Sequence, residues 1–101
     1  KKSEGQLYFQ QSAVELERKV RAFYPWPGTF FFYDSQRLIV HQSSVEQVRS
    51  PGIGVRFIHN ELPAVGTSEG VLILQQVQPA GKKAMSGEVF LRGAKDWESD
   101  Q

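Results

Sequence analysis

The chain has 101 residues, 40% hydrophobic and 12% aromatic, which fits one domain with a modest core. It has no cysteine, which excludes a disulfide framework, a thiolate metal site and a cysteine nucleophile, and suits a reducing, cytoplasmic compartment. No run reaches the roughly 18 apolar residues of a membrane span, and the opening KKSEGQLYF has no apolar centre of the signal-peptide kind, so no membrane is expected as a partner.

The formal net charge of +1 conceals an uneven distribution. Asp96, Glu98 and Asp100 in the final DWESDQ hold three of the 11 acidic groups, leaving residues 1–95 with 12 basic against 8 acidic. A basic body with an acidic tail admits a polyanionic partner, although composition favours a solvated mixed-charge surface. The chain opens on two lysines in mid-flow and reads as a segment of something longer.

QLYF (6–9) has the composition of a short strand. SAVELERKVRAF (12–23) then carries a helix signature: Ser12 and Glu15 form a capping box, and Ala13, Leu16, Val20 and Phe23 recur at three- and four-residue steps. Glu15–Lys19 and Glu17–Arg21 are spaced as helical ion pairs, and Pro25 and Pro27 end the helix. Beyond YPWPG the pattern becomes short strands split by turn residues: 29–33, 37–45, 55–59, 62–67 and 71–78. SGEVFLRG (86–93) reads as a short helix with Ser86 as N-cap and Gly93 as left-handed terminator. The predicted fold is mainly β: a small, open, OB-like antiparallel β-barrel of Greek-key type, with an N-terminal helix, a short C-terminal helix and a loose acidic tail.

Catalytic chemistry is missing. His41 and His59 are the only histidines, and neither has Cys, Asp or Glu at ligand spacing. No nucleophile elbow or zinc-protease motif occurs, and carboxylates are scattered singly. QPAGKKAM (78–85) resembles a phosphate-binding loop only superficially: Gln76 stands where a P-loop needs glycine, and Lys83 where it needs a hydroxyl.

What remains are cations and rings. Lys82 and Lys83 sit on a Pro/Gly turn at the predicted barrel end, Arg18, Lys19 and Arg21 on the helix, and Lys1 and Lys2 on the entering segment. Small barrels of this type bind nucleic acid through one face and its loops, with basic groups on the phosphates. FYPWPGTFFFY (23–33) holds seven aromatics in eleven residues. These rings either stack bases or wedge the helix against the barrel. The wedge reading makes Trp26 a packing anchor, for which Trp26→Ala costs about 3–5 kcal/mol.

ELERKVRAFYPWPGTFF (15–31) and EGVLILQQVQPAGKKAMSGEVFLRG (69–93) resemble the C-terminal domain of methionyl-tRNA formyltransferases, over roughly 12–93. The resemblance rests on two long motifs, Arg21–Gly28 and Gln78–Met85. Tyr24 and Arg92 stand where that family commonly has asparagine, and 59–67 has little family-like identity. The resemblance implies a linker and entering strand over 1–11, the OB-like domain over 12–95 and an acidic tail over 96–101. It also implies a separate N-terminal domain in cis, which carries the catalysis and transfers a formyl group from 10-formyltetrahydrofolate to initiator methionyl-tRNA. The fragment itself is then non-catalytic and takes no cofactor, and it holds tRNA phosphates through Lys82, Lys83, Arg18, Lys19, Arg21, Lys1 and Lys2. Phe23, Pro25, Trp26, Pro27 and Gly28 are the implied structural corner. Two alternatives stay open: the same domain on a sugar- or folate-directed formyltransferase, or a spacer that meets no RNA.

Overall fold

The computed structural model describes residues 4–98, so Lys1, Lys2 and the last three residues lie outside the description. Eight elements follow in chain order: α1 (Ala13–Phe23), β1 (Thr29–Tyr33), β2 (Gln36–Glu46), β3 (Arg56–His59), β4 (Leu62–Gly66), β5 (Val71–Pro79), β6 (Met85–Ser86) and α2 (Gly87–Gly93). No helix among the described residues is long and apolar enough to cross a membrane.

The capping box forms as expected: the Ser12 hydroxyl accepts from the Glu15 amide, and the Glu15 carboxylate accepts from the Ser12 amide. Its consequence was not anticipated. With Glu15 turned back to the cap, Lys19 does not pair with it. The Lys19 ammonium instead donates to the Gln6 carbonyl at 2.9 Å and lies over the Phe23 ring. Ala13, Leu16 and Val20 bury one face of α1 against the sheet, and the chain leaves helical geometry at Tyr24, ahead of Pro25.

The β1–β2 and β3–β4 hairpins turn on two residues each, Asp34–Ser35 and Asn60–Glu61, all with positive φ. That backbone matches the twist of the strands it joins. The sheet order is β1-β2-β5-β4-β3, with β6 pairing β5 as well. The consecutive strands β3, β4 and β5 form a meander and β2 lies beside β5, so the Greek-key, mainly antiparallel architecture holds. QLYF contributes one isolated parallel bridge, Gln6 to Phe30, and Leu7 still enters the core.

The sheet does not close into a barrel, because its edge strands β1 and β3 do not pair. Side chains fill the seam between them. Trp97 is 1% exposed; its indole N–H donates to the Phe57 carbonyl on β3 at 2.8 Å, and its ring packs edge-on against Phe31 and Tyr33 of β1. Arg56 on β3 donates to the Trp97 carbonyl at 2.7 Å, lies over the Tyr33 ring and reaches Asp34 at 3.5 Å. Burial, more than the neighbouring Asp96 charge, raises the Tyr33 phenol pKa above its ordinary value, against the lowering pull of Arg56.

These contacts correct the reading of 96–101 as a loose tail: at least Trp97 is core. A second correction concerns Gly93, which ends α2 without a positive φ; the cap is Ala94, whose amide bonds the Leu91 carbonyl.

Candidate functional site

The corner after α1 is presented to solvent. Trp26 is 84% exposed and Tyr24 56%, and Pro25 and Pro27 are exposed with them. Trp26 is therefore not the packing anchor its proline context implied; the buried tryptophan is Trp97. Phe23 is half-buried, and the turn is closed by the Gly28 amide donating to the Phe23 carbonyl at 2.9 Å. Gly28 sits at φ +89, a conformation that only glycine adopts without strain. Trp26→Ala is now expected to move stability by no more than about 0.5 kcal/mol, read as an unchanged urea midpoint. A loss of several kcal/mol would restore the wedge.

The second motif forms the turn after β5. Gly81 at φ +78 reverses the chain, and the Lys82 amide closes the turn on the Pro79 carbonyl at 3.0 Å. Lys82 and Lys83 are exposed, and among the described residues neither forms an ion pair.

Between these motifs β2 and β5 lose their regular register. Val40 faces Val77 and Gln42 faces Gln76, which leaves His41 as an extra residue; Ser43 then faces Leu74, leaving Gln75 extra on β5. A regular strand alternates faces, whereas a bulge can turn neighbouring residues to the same side. His41, Gln42 and Ser43 all line one cleft of about 590 Å³, together with Gln76 and Ala84, and with Glu17, Val20, Arg21, Tyr24 and Pro25 from the α1 side. Both long motifs thus border the same opening, the first through Arg21, Tyr24 and Pro25, the second through Ala84.

A hydrogen-bond chain ties the cleft wall to the basic turn. Gln78 donates through Nε2 to the Lys82 carbonyl at 2.9 Å, which orients its Oε1 toward His41 Nε2 at 2.8 Å. That orientation makes Nε2 the donor in this bond, because an amide oxygen only accepts. The Tyr24 ring stands edge-on to the imidazole, centroids 5.7 Å apart. Among the described residues His41 Nδ1 and Ser43 Oγ are buried without a hydrogen-bond partner.

The structure divides the helical cations. Arg21 lines the cleft, held by Glu17 through two hydrogen bonds of 2.8 and 3.1 Å, which raise its pKa further. Lys19 lies on the opposite flank, bound to Gln6, and Arg18 is exposed and contributes nothing to the cleft lining. Lys82 lines a smaller neighbouring cleft of about 200 Å³ with Asp96, Met85 and Phe90. The expected cations therefore form no single patch. Arg21 and the Lys82–Lys83 turn flank one region, and Arg18 and Lys19 stand away from it.

Of the cleft residues, His41 was set aside as a metal ligand and Gln76 only counted against a P-loop, while Gln42 and Ser43 were not considered. Their signal is the polar break HQSS (41–44) in an otherwise apolar strand, met by QQ (75–76) on the partner strand. Among the described residues no group of three or more His, Cys, Asp or Glu side chains is placed to hold a metal ion.

The fold is an open Greek-key sheet braced by two helices, with a cleft beside a basic turn. The chain matches the family described as formyl transferase, C-terminal domain, over residues 1–95, and belongs to that family. Its fold is shared with HypX from Aquifex aeolicus. A multiply substituted variant of that protein aligns at 17% identity and TM-score 0.73 over 98% of this chain and 19% of the other. The same protein in complex with tetrahydrofolic acid aligns at 17% identity and TM-score 0.71 over 94% and 18%. Identity this low speaks for the fold alone, and the chain spans about a fifth of those proteins' length.

Proposed function

We propose that this domain serves a methionyl-tRNA formyltransferase by holding initiator tRNA against a separate formyl-transferring domain in cis, in the cytoplasm. The observation that carries the reading is the Lys82–Lys83 turn. Two lysines stand exposed on a turn whose shape is set by Gly81 and the Gln78 tie, and no ion pair within the described residues occupies them. The fold has no use for those charges, and phosphates do. Family membership supports the setting: a formyltransferase uses a folate donor, here 10-formyltetrahydrofolate, which would be held by the catalytic domain, and no residue of this chain is assigned to it.

The test is titration of the chain, alone and joined to its catalytic domain, with initiator tRNA across a salt series. The logarithm of affinity should fall linearly with the logarithm of salt. No binding at low salt in either form would overturn the reading and leave a domain that only braces its catalytic partner.

A further inference from the structure

The cleft between α1 and β2 combines features the phosphate reading does not use. Its rings, Tyr24 and His41, stand beside Pro25, and its lining includes Gln42 and Gln76, whose side-chain amides are each both donor and acceptor. Its own charge is nearly balanced, because the Glu17 carboxylate that lines it is bonded to the one cation there, Arg21. A free phosphate gains little in such a place. A flat, uncharged ring with hydrogen-bonding edges gains more, and about 590 Å³ accommodates it. The charges that suit the attached backbone stand just outside, on the Lys82–Lys83 turn that the His41–Gln78 chain fixes to the cleft wall.

We propose that this cleft seats an unstacked nucleobase from a single-stranded segment of RNA, its face against the Tyr24 ring and its edge read by Gln42 and Gln76. Sequence-specific RNA recognition rests on bases splayed from the strand, stacked on rings and bonded at their edges, which is the chemistry this cleft supplies. The inference rests on the RNA reading above and adds to it a base-contacting subsite separate from the phosphate-contacting turn.

The chain carries a built-in reporter: of its two tryptophans, Trp97 has its indole N–H locked to Phe57, whereas Trp26, next to Pro25, is exposed. Adenosine and cytidine 5′-monophosphate, with inorganic phosphate as control, are titrated into the ¹⁵N-labelled chain and into the Tyr24→Ala and Gln42→Ala variants. Both substituted side chains are solvent-exposed, so the variants should fold, which their spectra verify. The nucleotides should shift the amides of His41, Gln42, Ser43 and Gln76 and the Trp26 indole, and leave the Trp97 indole in place. Inorganic phosphate should not, and each variant should weaken binding roughly fivefold or more. Shifts confined to the Lys82–Lys83 turn and reproduced by inorganic phosphate would overturn the base site. So would salt-dependent tRNA binding that survives unweakened in both variants, which leaves the phosphate reading intact. Nucleotide binding in the cleft by a protein that binds no tRNA would overturn the inference together with the reading it rests on.

Discussion

Replacing Trp97 with alanine is expected to cost about 3–5 kcal/mol, the range for removing a large buried aromatic. The ring is almost wholly enclosed and packs against Phe31, Tyr33 and Phe90. Its position multiplies the effect. In a closed barrel the ladder would hold β1 to β3; here the seam is held by Trp97, with its N–H on the Phe57 carbonyl, and by Arg56, which donates to the Trp97 backbone. Truncation to alanine opens a cavity at the seam and strips a donor from an edge-strand carbonyl. For a domain of this size the melting temperature should fall by roughly 4–8 °C per kcal/mol. Trp97→Phe should lose less, since it keeps most of the ring and gives up the N–H. A urea midpoint unchanged by Trp97→Ala would mean that the seam is held by other groups.

The two tryptophans show where the sequence was legible and where it was not. Strand positions could be read because apolar runs bounded by Gly, Pro, Asp and Asn encode their own ends: Thr29–Tyr33 was placed to the residue, and β5 within one. The start of α1 could be read because Ser12 and Glu15 satisfy each other locally. Trp26 and Trp97 were assigned the wrong way round because their surroundings in the chain mislead. Prolines and aromatics around Trp26 look like a core and are a solvent-facing corner, while the acidic neighbours of Trp97 look like a tail and carry its ring into a seam. That seam exists only after residues some 40 positions apart, such as Phe57 and Trp97, have met.

The cleft was hidden for a related reason. Gln42 and Gln76 look like unremarkable strand polar residues until the paired bulges at His41 and Gln75 turn three successive residues toward one opening. The Lys82–Lys83 turn was plain in the sequence; its fixed geometry was not, since the Gln78 tie depends on a strand register. A competing use of one side chain explains the missing Glu15–Lys19 pair: the cap claims Glu15 first.

Reversing both charges of the turn, Lys82→Glu with Lys83→Glu, should produce the largest functional loss. Each phosphate contact contributes about 0.9 to the salt slope on duplex and about 0.7 on single strand, so losing two should lower the slope by roughly 1.4–1.8. At about 0.15 M salt that corresponds to roughly 15- to 30-fold weaker tRNA binding, and the introduced carboxylates add repulsion. Stability should not change, because both side chains are exposed and make no ion pair within the described residues. The slope separates the two readings of this surface better than affinity does. A bracing domain that meets no RNA predicts the same slope and affinity in the joined protein before and after reversal. A phosphate-contacting turn predicts that both fall together while the melt stays in place. A change in affinity at constant slope would mean that the lysines act by shaping their loop and not by meeting phosphate, and the role assigned to Lys82 and Lys83 would have to be given up.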